Sequence, residues 1–204
     1  MNTPNKLTLL RMILTPVFML TLLWNFPFHY FVSLLIFVAA SITDYLDGKI
    51  ARDRGLVTDF GKFLDPIADK MLTTAAFLGF IALGIGQGTV WVTFIVLLRE
   101  FMVASVRLVA ASSGGKVIAA NIWGKVKTVF QMIAIIFALT ARQFVEIINI
   151  PAVAKFFGGE AVIANIDFAL SVATTLLIWV SAVLCVISGV IYLVDNKQFF
   201  KNTK

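Results

Sequence analysis

The sequence predicts an all-α, polytopic membrane protein with six transmembrane helices and a short interfacial helix at its N-terminus. Three observations carry that expectation. Hydrophobic residues make up 60% of the 204 residues, the mean hydropathy is +0.95, and apolar runs of about 20 residues, the length of a bilayer crossing, recur along the chain. An ordinary soluble domain is much less apolar. No linker, low-complexity tract or internal repeat divides the chain, so residues 1–204 read as a single membrane domain.

The elements follow in order. Residues 3–8 precede the first apolar run and read as the start of a helix lying along the interface. The first run, 7–24, contains Arg11 and no small-residue cleavage site follows it, which points to a span rather than a cleavable signal. The second, 28–46, continues at helical spacing from Thr43 to Arg52 and projects inward from the membrane. Asp59 to Lys62 open the third helix, with Asp65 and Asp69 in its first two turns and Pro66 tolerated as a first-turn proline. Its apolar run is 63–84, and Gly84, Gly86 and Gly88 mark a tight turn before the fourth run, 88–112. Gly114 and Gly115 mark the next turn, ahead of runs at 123–141 and 165–193. Pro151, Gly158 and Gly159 punctuate the last connection, where 151–157 reads as a short interfacial helix.

Charge orients these spans. The connections near 25–27 and 84–88 carry no Lys or Arg. Lys49, Arg52, Arg54 and Lys62 fill one of the others; Lys116, Lys125 and Lys127 fill another, and Lys197, Lys201 and Lys204 fill the tail. The positive-inside rule then puts both termini and these two loops on the cytoplasmic side of the cell membrane. The net charge of +6 is mostly topology, with some attraction to anionic lipid, and no basic soluble surface for nucleic acid is present. The single cysteine, Cys185, reads as a small buried hydrophobe, and the single histidine, His29, as an interfacial residue at the outer end of the second span.

The most informative stretch is acidic. Of eleven acidic residues, Asp44, Asp47, Asp53, Asp59, Asp65 and Asp69 fall in the stretch 44–69, with apolar sequence on both sides. A carboxylate at membrane depth is expensive unless a cation neutralises it, so such residues are functional candidates by default. The i,i+3 and i,i+4 spacings put two carboxylates on one face of each of two helices. Four carboxylates with no sulfur or imidazole among them suit hard divalent cations, and such a cage suits a diphosphate substrate. Asp53 and Asp59 read as solvated helix ends.

Asp44, Asp47, Gly48, Ala51, Arg52, Gly61, Asp65 and Asp69 match the signature D-x2-D-G-x2-A-R-x8-G-x3-D-x3-D at every fixed position. In this the chain resembles the CDP-alcohol phosphotransferase family, as it does in its six-span hydropathy. The resemblance implies that Asp44, Asp47 and Asp65 ligate Mg2+ or Mn2+, two ions per site. It implies that Asp69 is the general base and a further metal ligand, and that Gly48, Ala51, Arg52 and Gly61 line the CDP site. Glycines at 48 and 61 leave the backbone open to a nucleotide, and Arg52 reaches a phosphate bidentately.

A second constellation is basic: Arg99 and Arg107 in the fourth run, then Lys116, Lys125 and Lys127, with Glu100 available to pair with one of them. Positive groups beside a carboxylate–metal site invite another anion, such as a phosphate on the acceptor. Residues 98–101, 106–107 and 124–128, with Asn5, Thr8 and Arg11 near the start, resemble the phosphatidylglycerophosphate-forming branch of the family. The resemblance implies CDP-diacylglycerol as donor and sn-glycerol 3-phosphate as acceptor, a homodimer, and nucleotide contacts from Asn5, Thr8 and Arg11. Arg107, Lys125 and Lys127, then Arg99 and Lys116, are the expected ligands of the acceptor phosphate. Trp91 and Trp123 read as interfacial anchors. Inositol phosphate, phosphatidylglycerol and serine are alternative acceptors, and a cation or proton transporter is the alternative of another class. A transporter has no need of Gly48, Arg52 and Gly61 at fixed intervals.

Overall fold

The computed structural model describes residues 2–54, 59–112, 122–157 and 159–197. All regular structure among them is helical: α1 (Thr3–Leu23), α2 (His29–Arg54), α3 (Asp59–Ala82), α4 (Thr89–Ser112), α5 (Ile122–Ile148), α6 (Pro151–Ala154) and α7 (Glu160–Asp195). The long helices follow the predicted apolar runs. Three of them have the length and hydropathy to cross a membrane, over Asn5–Leu23, Ile122–Ile148 and Glu160–Asp195, and shorter apolar stretches cover His29–Asp44 and Lys70–Ala82. Large apolar side chains such as Leu20, Leu35, Trp91, Phe94, Phe101, Leu108, Phe168 and Leu176 are exposed around the bundle. So much exposed hydrocarbon is what a lipid-facing surface requires.

The predicted N-terminal interfacial helix does not exist as a separate element. α1 runs unbroken from Thr3, with a proline in its first turn. Asn5 and Thr8, in the segment expected along the interface, are buried, and with Arg11, Thr15, Phe18 and Leu22 they recur every three or four residues on one face. That face packs on α2 and α3, polar at one end and apolar at the other. His29 also differs from expectation. Its ring is buried at the α1–α2 corner, with Nδ1 3.1 Å from the Leu22 carbonyl oxygen and the ring 3.9 Å from that of Tyr30.

α5 packs on α7 and α2, and α4 on α7 and α3. The main core gathers Phe18, Leu22, Phe37, Phe77, Phe80, Ile135, Leu139, Ile178 and Cys185, so the cysteine is the buried hydrophobe expected. α1 and α3 approach closely where Gly79 faces Leu22. At the α3–α4 turn Gly84, Gly86 and Gly88 take φ of 66°, 76° and 72°, left-handed values that disfavour any side chain. Trp179 Nε1 donates to the Gln87 carbonyl at 2.9 Å and Gln87 N–H donates to Thr175 Oγ1 at 3.1 Å, joining this turn to α7. α5 runs seven residues past its predicted end, and the helix predicted over 151–157 shortens to α6. Gly114, Gly115 and Gly158 lie outside the described residues.

Candidate functional site

The signature falls on the helices that its spacing requires. α2 continues past its apolar part, so Asp44 and Asp47 stand one turn apart near its C-terminal end, and Asp65 and Asp69 stand one turn apart on α3. α3 begins at Asp59, which places Asp65 and Asp69 in its second and third turns rather than its first two. Pro66 is therefore inside the helix, not in its first turn; it costs one backbone hydrogen bond there. The side chains of Asp47, Ala51, Arg52, Asp65 and Asp69, and all of Lys116, lie outside the described residues. Gly48 is partly buried and Gly61 is buried.

Asp44 is held from α1. Arg11 Nη1 lies 2.5 Å from Asp44 Oδ1, with the arginine side chain 2% exposed and the carboxylate 44% exposed. Asn5 and Thr8 are buried on the same face of α1, two turns and one turn from Arg11 respectively and at the same end of the bundle. The donor set that the four aspartates bring, carboxylate oxygen on two adjacent helices, fits Mg2+ or Mn2+ by ligand type.

Beside the signature the basic residues converge on one carboxylate. Glu100, on α4, receives Lys70 Nζ of α3 on Oε2 at 3.2 Å and Arg99 Nη1 on Oε1 at 3.1 Å. Lys127 Nζ of α5 donates to Oε1 as well. Arg99 Nη2 donates to Ser188 Oγ of α7 at 2.7 Å, so four helices meet here. The crossing is tight: a Cβ on Gly189 would sit 3.0 Å from Arg99 Cγ, and one on Gly124 would sit 3.8 Å from Arg99 Nη2. Lys127, Arg99 and Glu100 are nearly buried, with side chains 7%, 11% and 14% exposed. Among the described residues, three cations around one carboxylate leave a surplus of two positive charges, with Lys70 the most open of the three. Such a surplus favours an anionic ligand.

The remaining predicted residues are more open. Arg107 is exposed on α4, its guanidinium carbon 5.8 Å from the centre of the Tyr192 ring, a cation–π contact that steadies it without using its donors. Lys125 is exposed in the first turn of α5, where helix N–H groups also favour anions. Sequence reasoning missed Lys70, Ser188 and Gly189. Lys70 had a signal, being adjacent to Asp69; Ser188 and Gly189 are small residues in an apolar run with nothing local to mark them. Clefts also form at the other end of the bundle, lined by Phe26, Gln143 and Glu146 and by Asn149, Lys155 and Asp167, remote from all these groups.

Comparison with known proteins adds an independent line. Residues 1–187 match the family described as CDP-alcohol phosphatidyltransferase. The chain is 39% identical over 162 residues to the CDP-diacylglycerol–glycerol-3-phosphate 3-phosphatidyltransferase of Bacillus subtilis (strain 168), covering 74% of this chain and 82% of that one. It is 34% identical over 199 residues to the protein of the same description from Rickettsia bellii (strain RML369-C), covering 98% and 97%. It is also 44% identical over 137 residues to a probable phosphatidylglycerophosphate synthase of Mycobacterium tuberculosis (strain ATCC 25618 / H37Rv), covering 66% and 64%.

Proposed function

The chain belongs to the CDP-alcohol phosphatidyltransferase family, and from that membership we propose how its residues divide the work of phosphatidyl transfer from CDP-diacylglycerol to sn-glycerol 3-phosphate. It is a transferase of phospholipid biosynthesis whose homologues carry that activity in their names. The acceptor hydroxyl oxygen attacks the phosphorus that bears the diacylglycerol, the bond from that phosphorus to the bridging oxygen breaks, and CMP leaves with that oxygen.

Asp69 takes the proton of the acceptor hydroxyl as the oxygen attacks, a task for a carboxylate within reach of the nucleophile. Asp44, Asp47 and Asp65, with Asp69, are the oxygens that would hold divalent cations, Mg2+ or Mn2+; when bound, these supply Lewis-acid polarisation of the phosphorus and stabilisation of the leaving phosphate. Gly48, Ala51, Arg52 and Gly61 accommodate CDP, with Asn5 and Thr8 of α1 at its edge. Arg107, Lys125, Lys127, Arg99 and Lys116 receive the acceptor phosphate.

One observation carries the choice of acceptor: the convergence of Lys70, Arg99 and Lys127 on the single carboxylate of Glu100, next to the helix that bears Asp65 and Asp69. Positive surplus at that place serves a phosphorylated alcohol and does nothing for serine. The loop charges support six spans with both termini and the site on the cytoplasmic side, where lipid donor enters from the inner leaflet. The test is CMP release by the purified protein from labelled CDP-diacylglycerol with glycerol 3-phosphate, inositol phosphate, phosphatidylglycerol or serine, each with and without EDTA. Chelator-sensitive release with glycerol 3-phosphate is expected. Release with another alcohol and not with this one overturns the assignment.

A further inference from the structure

We infer that Glu100 is the positioning residue of the acceptor half of the site, holding Arg99 and Lys127 at one point and tying them through Lys70 to the helix that carries Asp65 and Asp69. The inference rests on the reading that the acceptor carries a phosphate, and it assigns to Glu100 a role that touches neither substrate.

The geometry distinguishes organising from mere neutralising. Both carboxylate oxygens are engaged, Oε2 by Lys70 and Oε1 by Arg99 and Lys127, and the three cations come from α3, α4 and α5. Among the described residues Glu100 is the one carboxylate paired with all three. Arg99 is fixed from its other side as well, by the bond to Ser188 Oγ and by the close passage of its stem over Gly189. Arg99 is thus a fixed post, and Glu100 carries that fixity across to the Lys127 ammonium. Like charges this close repel strongly where water is scarce, and a buried cation stripped of its counter-charge is costly. Without the carboxylate the lysines have every reason to swing outward.

A competing effect has the opposite sign. The negative charge of Glu100 lowers the local positive potential, so on charge alone its removal strengthens phosphate binding. Preorganisation wins if the donors must already stand in place when the phosphate arrives, because ordering long side chains at the moment of binding is expensive. Lys70 extends the argument. It follows Asp69 directly in the chain, so its bond to Glu100 also sets where α3 sits against the basic cluster.

The test uses the full-length protein in lipid nanodiscs. For Glu100→Gln the KM for glycerol 3-phosphate is expected to rise at least tenfold while the KM for CDP-diacylglycerol stays within twofold; Glu100→Asp recovers part of the loss. For Lys70→Gln, on a more exposed side chain, kcat is expected to fall several-fold and the glycerol 3-phosphate KM to rise less than in Glu100→Gln. An unchanged or lowered acceptor KM in Glu100→Gln, or an equal rise for both substrates, overturns the inference. If Glu100→Gln does not fold, Lys70→Gln decides alone, and an unchanged kcat there overturns it. A readout independent of the acceptor's identity is the rise in melting temperature that inorganic phosphate gives the wild type, expected to shrink at least by half in Glu100→Gln. Wild-type protein that fails to use glycerol 3-phosphate refutes the proposed function; an equal phosphate-induced rise in both proteins refutes the role of Glu100.

Discussion

Arg11 joins the first helix to the first aspartate of the signature, its Nη1 2.5 Å from Asp44 Oδ1. The two partners are unequal. The guanidinium is enclosed by protein, whereas the carboxylate keeps 44% of its surface open and can stay hydrated when its partner is lost.

Arg11→Met follows from that asymmetry. A methionine fills much of the volume, and the open carboxylate turns to water, so the loss of stability is expected to stay under about 1 kcal/mol, the range of a partly exposed ion pair. Activity is expected to fall at least tenfold because Asp44 is no longer aimed, and Arg11→Lys to recover part of it. Thermal melting beside CMP release measures both. A large drop in melting temperature with intact turnover contradicts a site role for the pair.

Asp69→Asn removes the base and keeps the shape. General-base removal costs about 10²–10⁴ in rate, so turnover is expected to fall by that range while CDP-diacylglycerol binding, followed by calorimetry, is kept. Turnover above a tenth of wild type moves the proton acceptor elsewhere.

Arg107→Ala tests the outer edge of the basic cluster. The side chain is exposed and its contact with Tyr192 is worth about 0.5–1 kcal/mol at such a site, so the fold is expected to be nearly indifferent. The glycerol 3-phosphate KM is expected to rise about fivefold to tenfold, a factor of ten being about 1.4 kcal/mol, with kcat little changed. Initial rates against acceptor concentration decide it.

Gly79→Val probes packing away from the chemistry. A Cβ there would lie in contact with Leu22 Cδ2, a side chain that is fully buried. Overpacking of this kind costs about 1–3 kcal/mol, so melting several degrees lower is expected, with substrate KM values unchanged in protein that remains folded.

Much of this was legible in the sequence, for physical reasons. Helix positions followed apolar runs because bilayer thickness sets their length, and the helical placement of Asp44, Asp47, Asp65 and Asp69 followed from spacing alone. The misreadings are as instructive. Asn5 and Thr8 read as part of an interfacial segment because polar residues usually seek water, yet with Arg11 they line up with Phe18 and Leu22 on an inward face. His29 stands at the end of α2 as its span predicts, but its ring likewise turns inward. The partner of Glu100 was undecided because α3, α4 and α5 meet only in three dimensions, and Ser188 and Gly189 matter only because Arg99 crosses them. No local pattern encodes a contact between residues 89 apart in the chain.

The joint between Gln87, Thr175 and Trp179 has a mechanical consequence. Two hydrogen bonds of opposite sense, with the Trp179 ring laid against Gly88, bolt the α3–α4 turn to the middle of α7. With α4 tied to α7 a second time, through Arg99 and Ser188, the two helices are clamped at two levels and move as one bar.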